Sequence, residues 1–308
     1  MSSTSTTTTT TTLVRSKEAT ALTLRLTTGS LARQAARTNE YTVSTSGVAP
    51  TYLQANLLVL PSRYATDFRN LCARNPVPCP LIAESAAPGD YSRLVSRLPT
   101  VDADKLARGL DLRTDCPRYN VYRDSQLVSA GVADVNAEWT SDHVAFLVGC
   151  SQSFESALER AGLAIRHSVQ DRTVPMYRSN IPLNAAGIFS GATYTVSMRP
   201  FPKSQIELVR SISRAYHATH GEPVAWGWDA VARLGIASID EVQWGDAPLT
   251  VDGKPLSTVF GDEDNVPVFW GCGVTTQEAV MKANLEGTVL SHYPGCMLVM
   301  DCSENDVL

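Results

Sequence analysis

The sequence predicts an α/β protein: a mixed sheet flanked by helices, with a smaller α+β domain inserted. Three observations carry this expectation. Apolar runs of strand length alternate along the chain with segments of helical periodicity. One strand–Gly-Cys–helix pattern occurs twice, at 143–162 and at 265–284. The segment between the copies reads strand–helix–strand with several loops, a different grammar. The main α/β domain is expected over 16–168 and 263–308, and the inserted domain over 169–262.

The elements follow in order. Residues 1–15, the start of MSSTSTTTTTTTLVRSK, form a Ser/Thr-rich tail with too little apolar surface to fold, so disorder is expected there. This acid-poor stretch with Arg15 and Lys17 has the composition of a mitochondrial presequence but lacks a clear basic amphipathic helix. A cytoplasmic location is expected, with a mitochondrial one as the alternative. Residues 17–38 have helical spacing, with Arg25, Arg33 and Arg37 on the polar side. LQANLLVLP (53–61) reads as a buried strand closed by Pro61, RYATDFRNLCARN (63–75) as an amphipathic helix, and PVPCPLI as the approach to a short strand. Residues 84–117 are irregular, and RYNVYRDSQLV (118–128) alternates at period two, as a hairpin does.

HVAFLVGCSQSFESALERAG (143–162) and NVPVFWGCGVTTQEAVMKAN (265–284) align without a gap, Gly149 on Gly271 and Cys150 on Cys272. Each is followed by an apolar segment that reaches a histidine, LAIRH to His167 and TVLSH to His292. Two pseudo-repeat units in one sheet are expected; the alternative is two ordinary strand–helix turns that both use glycine. Between them, GATYTVSMRPF (191–201) reads as a strand, KSQIELVRSISRAYHATHG (203–221) as an amphipathic helix and EPVAWGW (222–228) as another strand.

Composition excludes several functions. The chain has 308 residues, 44% of them hydrophobic, and a net charge of −5 with no basic stripe, so no nucleic-acid partner is expected. No apolar run reaches the ~18 residues that span a bilayer, and no secretory signal is present. The seven cysteines are odd in number and show no C-x-x-C spacing, which argues against disulfides and structural zinc. His292 and Cys296 flank a Pro-Gly turn without an obvious third ligand, so no metal is expected. Neither nucleotide-binding glycine motif occurs, and no cofactor is expected. The partners expected are a small carboxylate substrate and, as a homodimer, a second copy of the chain.

Chemistry is expected where the two Gly-Cys turns meet following helices, whose free N–H groups favour anions. Thr275 and Glu278 have the spacing of a capping box, which leaves Cys272, the backbone of Gly273 and Val274, and Gln277 as candidates. In the first unit Ser151 and Ser153 are caps or substrate ligands, and Glu155 is a general base or a charge complementing the helix dipole. A cysteine at a helix start has a lowered pKa and acts as nucleophile or acid, or else fills space. Arg178 and Asn180 in VPMYRSNIP, with Arg199 in VSMRPFP, are candidates for binding a carboxylate. His220, before Gly221, reads as a cationic helix end.

YLQANLLVLP, CARNPVPCPL, VAFLVGCSQSFESAL, VPMYRSNIP, FSGATYTVSMRP, VPVFWGCGVTTQ and SHYPGCMLVMD together resemble the D-glutamate cyclase family, from about residue 30 to about residue 302. The resemblance implies an α/β domain with an inserted α+β domain, and a carbon–oxygen lyase that closes D-glutamate to 5-oxo-D-proline with loss of water. The resemblance itself assigns no roles; on the chemistry of the residues, Arg178 and Arg199 are expected to hold carboxylate, with Glu155 or His292 as acid or base. Backbone N–H groups after Cys150 and Cys272 hold the oxyanion; in a sharper version Cys272 forms a thioester. The chain departs from the family pattern. HYPGCM stands where the family reads like HAPGHM, so Cys296 replaces a histidine, and PVAWGWD stands for PVHIGDP, which makes a second histidine Ala225. GVTTQ stands for GVTPQ and GVAPTY for GLAPGY. An imidazole near ~6.5 shuttles protons at neutral pH and a thiol near ~8.5 mostly does not. Two alternatives stay open: a specialised hydro-lyase or cyclase acting on a different carboxylic acid, and a non-catalytic carboxylate-binding protein.

Overall fold

The computed structural model describes residues 17–308; the tail expected at 1–15 lies outside the described residues. The helices are α1 (Lys17–Arg25), α2 (Gly29–Arg37), α3 (Ala65–Arg74), α4 (Ala103–Leu106), α5 (Glu155–Arg160), α6 (Arg166–Val169), α7 (Ile206–Arg214), α8 (Trp228–Arg233) and α9 (Val274–Lys282). The first strands are β1 (Tyr52–Pro61), β2 (Leu81–Ser85), β3 (Leu94–Ser96), β4 (Tyr119–Arg123), β5 (Gln126–Val132) and β6 (His143–Gly149). They are followed by β7 (Met176–Pro182), β8 (Thr193–Phe201), β9 (Ala225–Trp226), β10 (Val266–Gly271), β11 (Thr288–His292) and β12 (Leu298–Ser303).

The class is α/β, as expected, with helices flanking two antiparallel sheets. The larger sheet runs β3-β2-β6-β1-β11-β4-β5, with β12 also paired to β1; the smaller runs β7-β8-β10-β9. Strand β1 is central because its side chains are apolar on both faces. Leu53, Ala55, Leu57 and Val59 enter one core, while Leu58 and Leu60 meet Phe68 of α3 and Val280 of α9 in another. The smaller sheet buries Val268 and Trp270 against Phe154 and Leu158 on its inner face, and Phe269 against α8 on its outer face.

The strand–Gly-Cys–helix pattern forms in both places, but not in one sheet. Strand β6 pairs with β1 and β2, whereas β10 pairs with β8 and β9. A local repeat fixes strand, turn and helix; it leaves the pairing partner open. Strand β10, expected with the main sheet, is therefore joined to the interposed segment.

Other boundaries shift for local reasons. The helix expected over 17–38 breaks into α1 and α2, where the Thr28 side chain accepts from Leu31 N–H at 3.3 Å. Arg33, expected on the polar side, is buried: its guanidinium donates to the Val299 carbonyl (2.8 Å) and to Asp301 Oδ2 (2.7 Å). LAIRH is no strand, since Leu163 and Ile165 pack beside Phe154 and His167 lies on the short α6. Helix α7 ends at Arg214, and the strand expected over 222–228 shrinks to Ala225–Trp226.

Candidate functional site

The site assembles around Asn56, one of two buried polar residues, with Gln54, in the otherwise apolar β1. Asn56 stands in β1 opposite Val148 of β6. Its side-chain amide donates to the carbonyls of Val148 (3.2 Å) and Gly149 (3.1 Å), so it grips the end of β6 at the first Gly-Cys turn. The same amide nitrogen lies 1.9 Å from where a Cβ on Gly273 would stand. Gly273 has an ordinary helical φ of −62°, so its glycine is required for space and not for conformation. Asn56 thus touches both turns, which come from different sheets.

Of the strand-end glycines, Gly149 makes an equally close approach and Gly271 a milder one. A Cβ on Gly149 would lie 1.8 Å from the Ala218 carbonyl oxygen, and one on Gly271 would lie 3.2 Å from that of Val77. The Val77 carbonyl also accepts a hydrogen bond from His220 Nδ1 at 2.8 Å. Because a carbonyl only accepts, Nδ1 carries the proton and Nε2 presents a lone pair. His220 is buried and adopts φ 88°, the left-handed region, which is costly for any residue with a Cβ. Burial lowers its pKa to about 4, with Arg199 adding to the effect and the Val77 carbonyl opposing it. The ring is neutral at pH 7, and its buried Nε2 has no hydrogen-bond partner among the described residues.

His292, at the end of β11, is the second buried imidazole. Its Nδ1 lies 3.2 Å from Leu57 N, 3.1 Å from Leu57 O and 3.3 Å from Gln277 Nε2. Burial lowers its pKa to about 4, and its Nε2 is likewise unpartnered.

The thiols behave otherwise than expected. Burial pushes Cys150 up to about 12, and the nearby Cys272 adds to the rise while the Gln152 N–H opposes it. Burial pushes Cys272 up to about 11, against the Val274 N–H and the Arg199 charge. Neither helix start overcomes the loss of water around its sulfur. Cys272 Sγ packs 3.5 Å from Met176 Sδ, beside Val174 and Val274. The backbone N–H of Cys150 donates to Gln54 O and that of Cys272 to Thr195 O, both at 3.1 Å. The next N–H groups, those of Ser151 and Gly273, make no hydrogen bond among the described residues.

Arg199 is fully buried and already matched. It donates through Nε to Glu155 Oε1 (2.9 Å), through Nη2 to the same oxygen and to Ser151 Oγ (3.0 Å), and through Nη1 to Ser197 Oγ (3.1 Å). His167 Nε2 lies 3.3 Å from Glu155 Oε1. Burial alone would raise the Glu155 pKa; the Arg199 charge and its hydrogen bonds, with the neighbouring His167 ring, outweigh it and hold the carboxyl at about 2. A carboxylate that acidic is a poor general base, so the geometry gives Glu155 the task of fixing Arg199.

Four expectations are corrected. Arg178 is half exposed and forms a two-pronged pair with Glu278 (2.8 and 3.0 Å), apart from Arg199. Asn180 is exposed and donates to the Arg233 carbonyl (3.0 Å), which ties β7 to the end of α8. Ser153 Oγ accepts from Gln54 N–H (3.0 Å) and thereby anchors β1. The capping box does not form: Thr275 Oγ1 accepts from Thr195 N–H (2.9 Å), and Glu278 holds Arg178. The structure brings Cys150, Ser151, Glu155, Arg199, Cys272, Gly273, Gln277 and His292 to the interior between the sheets. Two cavities of about 690 and 800 Å³ open elsewhere, at Trp226–Trp228 and at Arg69–Arg97. All seven cysteines are free and buried. Among the described residues no cluster of three or more His, Cys, Asp or Glu forms a metal-binding group, and no helix is long and apolar enough to cross a membrane.

Comparison with known proteins gives the family. Residues 144–301 match the family model described as D-glutamate cyclase. A "Putative hydro-lyase" of Ruegeria pomeroyi is 46% identical over 283 residues, covering 91% of this chain and 93% of its own. The chain belongs to the D-glutamate cyclase family. Other relatives span a wide range of organisms. A "Putative hydro-lyase" of Schizosaccharomyces pombe is 41% identical over 274 residues (89% of this chain, 84% of its own), and one of Staphylococcus haemolyticus is 38% identical over 275 residues (89% and 95%). The chain is a lyase of the hydro-lyase type.

In this D-glutamate cyclase family member, sequence reasoning missed Asn56 and read His220 as a cationic helix end, whereas its buried ring is neutral. Asn56 carried a signal: a polar residue within LQANLLVLP must find partners when that strand is buried. His220 carried none, because its position rests on a left-handed backbone and a distant carbonyl.

Proposed function

We propose that this chain closes D-glutamate to 5-oxo-D-proline with loss of water, in the polar interior where the two Gly-Cys turns meet. The observation that carries this reading is the pair of buried, neutral imidazoles, His220 and His292, each with an unpartnered Nε2. The reaction is neutral overall: the substrate ammonium gives up two protons, the new C–N bond forms, and one γ-carboxylate oxygen leaves as water with those two protons. No net acid or base is consumed, so the protein's task is to relay protons and to fold the substrate. The neutral His220 ring, whose Nδ1 donates to the Val77 carbonyl, accepts a proton at Nε2, and its conjugate acid, with a pKa near 4, releases it readily to the departing oxygen. The N–H groups of Ser151 and Gly273 supply donors for the oxyanion of the tetrahedral intermediate. Arg199 and Glu155 hold the 151–155 turn in place. The protonated thiols of Cys150 and Cys272 are packing groups in this reading. Incubation with D- and with L-glutamate, followed by chiral separation and mass spectrometry, tests it. Formation of 5-oxoproline from the D-isomer is expected, and no turnover of either isomer overturns it.

One observation favours a different small carboxylic acid as substrate. Cys296, in place of a family histidine, is buried in the turn whose Gly295 carbonyl accepts from Thr45, and Thr45 Oγ1 also lies 3.5 Å from Gln152 Oε1 beside the first Gly-Cys turn. Under this second reading the double variant Cys296→His/Ala225→His gains glutamate cyclisation that the natural chain lacks; unchanged inactivity would contradict it.

A further inference from the structure

The cavity of about 800 Å³ is distinct from the Gly-Cys interior and has a definite chemistry. Two of its lining residues, Arg69 and Arg97, share a single carboxylate, that of Glu84. Arg69 reaches it through Nε at 2.6 Å and Arg97 through Nη2. Glu84 is buried, with 3% of its side chain exposed, while the two guanidiniums are 38% and 45% exposed. Two positive charges thus face one negative charge, and each guanidinium keeps N–H groups that Glu84 does not occupy. The lining side chains include no Asp or Glu. Most of the remaining wall is apolar, including Leu81, Leu98, Pro99 and Ala218, with Asn70, Thr100 and His217 as its polar members. Its volume suits a small organic ligand.

We infer that this cavity binds an organic monocarboxylate with an apolar body. The carboxylate lies on the open N–H groups of Arg69 and Arg97, and the hydrocarbon lies along Leu81, Leu98 and Ala218. Charge selects against amines, and the apolar wall selects against small hydrophilic acids. The cavity also shares walls with the site of the proposed function. Ala218, whose carbonyl presses on Gly149, lines it, as do Pro76, Cys79 and Pro80, which flank the Val77 carbonyl that holds His220.

Isothermal titration of the full chain with hexanoate, hexylamine and D-glutamate as separate probes tests the inference. Hexanoate is expected to bind with one site per chain, and hexylamine is not. Arg97→Gln should weaken hexanoate by about ten-fold through loss of a charge-assisted contact. Ala73→Phe, which fills the cavity from an exposed position on α3 while leaving both arginines on Glu84, should abolish binding with the fold intact by circular dichroism. Absence of hexanoate binding, equal binding of hexylamine, or unchanged binding in Ala73→Phe each overturns it. Displacement of hexanoate by D-glutamate would merge this cavity with the substrate site and overturns it as well. Failure of glutamate turnover leaves these outcomes readable, because none depends on catalysis.

Discussion

Asn56 lies in the larger sheet and Gly273 in the turn that follows β10 of the smaller one, yet they stand so close that a single added methyl on Gly273 would fall 1.9 Å from Asn56 Nδ2. That nitrogen simultaneously donates to Val148 O and Gly149 O. One side chain therefore sets the separation of the two Gly-Cys turns. The glycine is what lets the second turn approach.

Gly273→Ala should destabilise the fold by about 1–3 kcal/mol through overpacking, since its backbone conformation suits alanine. Asn56→Ala in the same chain should recover part of that loss by making room, although it leaves two buried carbonyls with one donor fewer. Urea unfolding of both single variants and the double variant measures the coupling. Strict additivity would show that the two residues do not meet.

The Glu155–Arg199 pair fixes a pH dependence. The folded pKa of Glu155 is about 2, below its ordinary 4.5, so its pairing stabilises the protein fully above the unfolded value. That stability is lost as pH falls from about 4.5 towards 2. Arg199→Met should cost about 3–5 kcal/mol at neutral pH, because it leaves a buried carboxylate without its main partner. Glu155→Gln should flatten the acid limb of a stability–pH curve relative to the natural chain.

His220 and His292 are also lowered, but by burial of the ring and not by a charged partner. Their folded pKa values of about 4 lie below the ordinary 6.5, so the unfolded chain binds protons that the native chain refuses. Stability therefore declines as pH falls from about 6.5 towards 4. For activity, the acid limb of kcat/KM should fall near 4 and not near 6.5. His220→Asn keeps a residue tolerant of the left-handed region and should lower kcat by about 10²–10⁴. An acid limb unmoved from the ordinary histidine value would contradict the role of a buried neutral ring.

With pKa values of about 12 and 11, Cys150 and Cys272 should resist alkylation at pH 7.5. Iodoacetamide labelling followed by peptide mapping should find both unmodified after times that label a free thiol in a peptide completely. Rapid, selective labelling of Cys272 would restore the nucleophile that its helix-start position suggested.

What the sequence disclosed was local. LQANLLVLP and RYNVYRDSQLV announced β1 and the β4–β5 hairpin by period and composition, and the twin Gly-Cys turns were visible because strand, turn and helix are contiguous. The pairing of β10 with β8 was not visible, since a strand buried on both faces carries no mark of its neighbour. T-x-x-E at 275–278 misled because the hydroxyl found the β8 backbone and the carboxylate found Arg178. Arg178 and Arg199 looked alike as candidate clamps; burial and a carboxylate partner for each separate them, and neither distance was readable from spacing. His167 and His292 both appeared as segment ends, but only tertiary packing shows that one ring lies beside Glu155 and the other beside Gln277.

In the proposed reaction, backbone and imidazole groups at the paired turns, and not thiolates, close the substrate. The most direct measurement is the turnover of D-glutamate by the Cys150→Ser/Cys272→Ser double variant, with intact-protein mass spectrometry of both enzymes during turnover. The expected result is 5-oxoproline formation within about ten-fold of the natural chain and no acyl adduct on either protein. Loss of turnover in the double variant, together with a covalent glutamyl adduct on the natural chain, would contradict it.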